Sequence, residues 1–107
     1  MTLSHLVEEI ILHLGGEHVL ARIGASGFVS EGGQVSFQLN HGNPKGIHTV
    51  VISAQTAGRF GMKCFGRIAP GTLTVPLLGS AQEIIPENLA TVLGKLTGIE
   101  GIHHRHF

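Results

Sequence analysis

The chain has 107 residues, 42% hydrophobic and 13% charged, with seven Lys and Arg balanced by seven acids. This size makes one domain, residues 1–107; the apolar content excludes a disordered chain, and zero net charge leaves no global basic field to hold nucleic acid by itself. All seven acids are Glu, and Trp and Tyr are absent. Those absences exclude an Asp-oriented triad, a Tyr acid and an Asp-rich calcium loop.

The first segment is helical by its spacing. Leu3, Leu6, Val7, Ile10, Ile11 and Leu14 form one apolar stripe, with His5, Glu8, Glu9 and His13 opposite. Thr2 or Ser4 can cap its start and Gly15-Gly16 can stop it, so a helix is expected over 3–14. Its acidic residues and lack of a cationic start do not suit a secretory signal, and no stretch approaches the ~20 apolar residues of a membrane span. The expected location is the cytoplasm, without membrane contact.

"HVLARIGASGFV" reads as a strand through Val19, Ala21 and Ile23 that runs into a glycine-marked bend. "SEGG" at 30–33 is a turn. "QVSFQLN" at 34–40 alternates Val35, Phe37 and Leu39 with polar residues and is the cleanest strand. "HGNPKG" at 41–46 is a loop. The β-branched "IHTVVISAQ" at 47–55 is a third strand and "GRFGMKCFGRI" at 58–68 a fourth. Residues 69–85 hold two prolines and two glycines, which predicts an irregular crossing with room for one extended piece. "PENLATVLGKLTG" is a helix with Pro86 in its first turn and Gly98 at its end. The stretch 100–107 is expected as a mobile, His-rich tail.

Short turns between the strands favour an antiparallel meander. The expected fold is α+β: a two-layer sandwich of a four-stranded antiparallel sheet with two helices on one face, in the order α-β-β-β-β-α. The other sheet face is left open.

On that open face the alternation places Arg22, Gln34, Ser36, Gln38, Thr49, Val51, Ser53, Arg59, Lys63, Phe65 and Arg67. Three of the chain's seven cations thus lie on one strand. A wet sheet face needs polar residues, and cations there also discourage edge-to-edge aggregation. The same pattern suits a binding surface. The candidate partner-binding residues are Arg22, Val51, Arg59, Lys63, Phe65 and Arg67. An exposed cluster of Phe65, Val51 and Leu20 with cations at its rim fits a protein partner. Arg59, Lys63 and Arg67 beside an exposed aromatic fit a nucleic-acid backbone and base. Edge pairing into a homodimer is the third reading.

Other motifs point to less. His103, His104 and His106 could take up a divalent metal, but no firm scaffold or fourth ligand accompanies them. "GASG" at 24–27 follows a strand rather than joining two helices, so it reads as a bend. Cys64 lies on the apolar side of its strand, where a thiol is a small buried hydrophobe. His48 is aligned with Val50 and Ile52 and is expected half-buried and hydrogen-bonded. No nucleophile meets a base and an orienting group, so no active site, cofactor or metal centre is expected.

Several motifs taken together resemble a family of small proteins encoded in bacterial prophages and other mobile elements. They are Leu14-Gly15-Gly16; Ile23-Gly24-Ala25 with Phe28; Val35 and Phe37; Gly46-Ile47 with Val50 and Ile52; Phe60, Met62 and Cys64; and Leu96-Thr97-Gly98-Ile99. The family's Asp-x-Tyr start of the fourth strand is Gly58-Arg59-Phe60 here, and the Thr of its bend is Ile23. The resemblance implies an accessory protein made in the cytoplasm of a bacterial host. It implies a binding role, with partners among host, defence or phage proteins, or DNA, and carries no activity over to this chain.

Overall fold

A computed structural model describes residues 5–68, 70–71 and 73–99. The proposed Thr2 or Ser4 cap and the His-rich tail lie outside them. The elements are α1 (His5–His13), α2 (Glu17–Arg22), β1 (Ala25–Glu31), β2 (Gln34–Leu39), β3 (Thr49–Ala54), β4 (Phe60–Phe65), β5 (Leu77–Ile84) and α3 (Leu89–Thr97). Two 3₁₀ turns, Thr56–Gly58 and Pro86–Asn88, join β3 to β4 and β5 to α3. The five strands form one antiparallel sheet in chain order, β1 to β5.

The architecture is α+β, with two corrections to the expected elements. Residues 17–22 are helical rather than extended. Leu20 and Ile23 are buried while Ala21 is exposed, which is a helical repeat and not an alternation. Gly16 and Gly24, both at positive φ, bracket this short helix. The sheet has five strands rather than four: the expected first strand is replaced by β1, which begins only at Ala25, and the expected irregular crossing contains β5. The described residues accordingly hold three α-helices.

Other expectations hold. Gly15 (φ 110°) and Gly16 (φ 89°) turn the chain out of α1, and Gly98 (φ 75°) ends α3 in the left-handed conformation. Gly32 and Gly33 both take positive φ at the β1–β2 hairpin, as a two-residue primed turn requires.

One core lies between the helices and the inward side of the sheet. It joins Val7 and Ile10 of α1, and Leu14 just past its end, to Leu89, Ala90 and Leu93 of α3, over Phe37, Val50, Ile52 and Met62 of the strands. Phe28 stacks on Phe37 with ring centroids 5.0 Å apart. Truncating a fully buried Phe such as Phe37 to Ala costs about 3–5 kcal/mol.

The β2–β3 loop is fastened at two points. The Asn43 side chain brackets Ile47, donating to its carbonyl at 2.7 Å and accepting from its N–H at 2.8 Å. Lys45 N–H donates to the Thr97 carbonyl at the end of α3, 3.2 Å away. The "GASG" stretch, expected as a bend, is a turn only at Gly24, since Ala25–Gly27 open β1, and Gly24 packs on this loop. A Cβ on Gly24 would stand 2.7 Å from His41 Cγ and from its backbone nitrogen. His48 is half-buried as expected, but its Nδ1 is buried with no hydrogen-bond partner among the described residues.

Candidate interaction surface

The register arranges the outward side chains in rows across the sheet. One row runs Val29, Ser36, Val51, Lys63, Ser80; the next runs Ser26, Gln38, Thr49, Phe65, Leu77. A third begins Glu31, Gln34, Ser53, Gly61. β1 and β2 contribute mostly small or amide side chains. β4 and β5 contribute most of the apolar ones.

At the Phe65 end the face sinks into a hollow of about 270 Å³ lined by Thr49, Val51, Phe65 and Val75. Val75 comes from the connection between β4 and β5, and Leu77 continues the same surface. Lys63 is exposed, two residues from Phe65 and directly opposite Val51. Six of the eight large apolar side chains exposed among the described residues fall in 68–85: Ile68, Leu73, Val75, Leu77, Leu78 and Ile85. Residues 68–82 carry no charged side chain at all. The six are neighbours in sequence: Leu77 lies opposite Phe65, whereas Ile85 follows Ile84, which lies opposite Phe60 at the other end of β4.

At the Gly61 end the face is polar. The Gln55 side chain crosses over Gly61 and donates to Gln82 Oε1, while its own Oε1 accepts from Glu83 N–H at 2.9 Å. A Cβ on Gly61 would lie 2.9 Å from Gln55 Nε2, so glycine is what lets the amide pair lie flat on β4. Beyond it opens a cleft of about 600 Å³ lined by Gln55, Thr56, Ala57, Arg59, Gln82 and Glu83. Ala57 (φ 61°) and Glu83 (φ 52°) are the two non-glycine residues at positive φ among the described residues, one on each wall. The left-handed backbone costs each roughly 1–2 kcal/mol. At Glu83 it accompanies a register shift in β5 that turns both Gln82 and Glu83 to the cleft.

The six candidate residues therefore do not form one patch. Val51, Lys63 and Phe65 stand together around the hollow. Arg59 sits at the far end of the same face, in the polar cleft. Arg67 lies past the end of β4, where it lines a separate depression with Asn40, His41 and Ile47. Arg59 and Arg67 are eight residues apart, about 26 Å along an extended chain. Arg22 ends α2 and does not belong to the sheet, because its segment is helical. Leu20, expected in the exposed cluster, is buried in the core for the same reason.

Sequence reading missed Val75 and Leu77 as the apolar complement of Phe65. The uncharged run 68–82 was the available signal. It also missed the Gln55–Gln82 pair, which only the register brings together.

Cys64 is fully buried on the inward side of β4, opposite Val50. Burial pushes its thiol up to about 11, away from the thiolate range that a nucleophile needs. Among the described residues no three His, Cys or Glu side chains gather closely enough to hold a metal ion.

No family model, curated protein or solved structure matches this chain.

Proposed function

We propose that this protein is a non-catalytic interaction module that docks on another protein through the Phe65 end of its open sheet face. The observation that carries this reading is the hollow between Thr49, Val51, Phe65 and Val75, with exposed Leu77 and Lys63 beside it. It is an apolar centre with a polar surround, the usual plan of a protein interface. The setting we propose is that of a phage or mobile-element accessory protein in a bacterial cytoplasm, acting on a host or defence protein. The motif resemblance supports that setting. The wide separation of Arg59, Lys63 and Arg67 weighs against a nucleic-acid backbone tracked along β4, since only Lys63 stands beside the aromatic.

The test is affinity capture from bacterial lysate with the immobilised full chain, quantified for wild type and Phe65→Ser. The expected result is a captured protein whose recovery falls at least tenfold with Phe65→Ser and little with Arg67→Ala. Fluorescence anisotropy with labelled single- and double-stranded DNA and RNA runs in parallel. Salt-sensitive binding lost in the Arg59→Ala, Lys63→Ala, Arg67→Ala triple variant would replace this reading with a nucleic-acid one.

A further inference from the structure

The interaction surface has a direction as well as a centre. Along β4 the open face offers, in order, the apolar hollow at Phe65, the Lys63 ammonium, the Gln55–Gln82 amides over Gly61, and the Arg59 guanidinium in its cleft. At the rise of a strand, Lys63 is about 7 Å from Phe65 and Arg59 about 20 Å. The ion pair formed among the described residues is His13 with Glu9, on α1. Lys63 and Arg59 thus stand on this face without a carboxylate partner among those residues. Ser36 and Ser80 flank the Val51–Lys63 pair in its row, so nothing acidic neutralises Lys63 from either side. Glu83 is the one anion lining the Arg59 cleft.

Resting on the reading of this face as a protein-docking surface, we infer that its occupant is an extended acidic segment with one apolar anchor. The anchor fills the Thr49–Val51–Phe65–Val75 hollow. A carboxylate about two residues along meets Lys63, and a second, about six residues along, meets Arg59. Charge complementarity selects acidic over basic segments, and the hollow selects an apolar residue at one end. The cations are not equal. Lys63 has neutral neighbours across the sheet, whereas Glu83 shares the cleft with Arg59 and partly offsets it. Peptide polar groups passing between them can hydrogen-bond to Gln55 and Gln82, whose amides already lie flat on the sheet.

The probe is a set of fluorescein-labelled heptapeptides titrated into the full chain by anisotropy at low and physiological salt. The reference peptide has Leu at its first position and Glu at its third and seventh. The controls carry Lys in place of both Glu, or Ser in place of Leu. The expected result is at least tenfold tighter binding of the reference peptide than of either control. Lys63→Glu reverses the charge preference, and Arg59→Glu weakens the reference peptide several-fold less than Lys63→Glu does. Both substitutions are at exposed positions, and circular dichroism confirms that each variant stays folded. Equal binding of acidic and basic peptides that is still lost in Phe65→Ser would overturn the acidic-segment inference and leave the docking surface standing. No peptide binding together with no Phe65-dependent capture from lysate would overturn both. Displacement of the reference peptide by an oligothymidylate would assign the cations to nucleic acid and also overturn the inference.

Discussion

The two faces of this sheet carry the same strands and opposite chemistry. Inward, the strands share one apolar core with α1 and α3, and Phe37, Val50, Ile52, Met62 and Cys64 are sealed from water. Outward, β1 to β3 are mostly Ser, Gln and Thr, with Val29 and Val51 the apolar exceptions, and the larger apolar side chains, Phe65 and Leu77, come from β4 and β5. A face that merely needed to be wet would stay polar across its width. Phe65 and Val75 are core-type side chains placed where the described residues leave them uncovered.

The largest effect should separate the faces directly. Phe37→Ala is expected to lose about 3–5 kcal/mol of stability. Phe65→Ala, half-exposed, should lose about 1 kcal/mol, near the centre of the distribution for single substitutions. Urea denaturation of both variants checks the ratio, and equal losses would mean that Phe65 is a structural residue.

Glycines on the two sides come next. Gly24→Ala brings Cβ within 2.7 Å of His41 and strains a φ of 77°. A loss of about 2–3 kcal/mol is expected, read by the same denaturation. Gly61→Ala instead pushes aside the Gln55 amide, which can swing away into solvent, so about 1 kcal/mol is expected. The Arg59 cleft should change shape while the fold survives, which backbone amide NMR shifts at 55–59 and 82–83 would report.

Cys64 gives the covered face a pH signature. Its thiol pKa is raised to about 11 in the fold from an ordinary 9.0. A raised acid favours the folded state's neutral form, so its contribution is complete below about pH 9 and is lost as pH rises toward 11. The loss is of the order of 3 kcal/mol. Cys64→Ala should flatten the alkaline limb of the stability profile relative to wild type. The native thiol should also stay unlabelled by a thiol reagent at neutral pH until denaturant is added.

The smallest effect is expected from the open face's charges. Lys63→Ala and Arg67→Ala should each change stability by less than about 0.5 kcal/mol, because both side chains are exposed. The proposed docking surface separates them in binding: Lys63→Ala is expected to weaken the acidic peptide and Arg67→Ala to leave it unchanged.

How legible this was in the sequence depended on periodicity. β2 and β4 showed their inward residues plainly, because Val35, Phe37 and Leu39, and then Phe60, Met62 and Cys64, alternate without interruption. Residues 17–22 misled because a six-residue helix gives less than two turns of signal, and Val19, Ala21 and Ile23 imitate a strand. β5 was obscured by its own irregularity. Its two register shifts break the alternation, and Gly79 and Ala81 face inward with almost no apolar side chain. The candidate surface was half legible for the same reason. Val51, Lys63 and Phe65 follow from alternation on β3 and β4. Val75 and Leu77 depend on how an irregular connection returns to the sheet. Arg22 was misassigned with its helix, and Arg59 and Arg67 were separated by strand length, which an in-or-out pattern does not measure.

The central claim is that the apolar hollow at Phe65 is kept for a partner. The most direct measurement is the recovery of captured protein on wild type against Phe65→Ser, each immobilised at equal folded amount as judged by circular dichroism. The account predicts a specific protein held by wild type and reduced at least tenfold on the folded variant. Equal recovery on both would contradict it and return Phe65 to the structure alone.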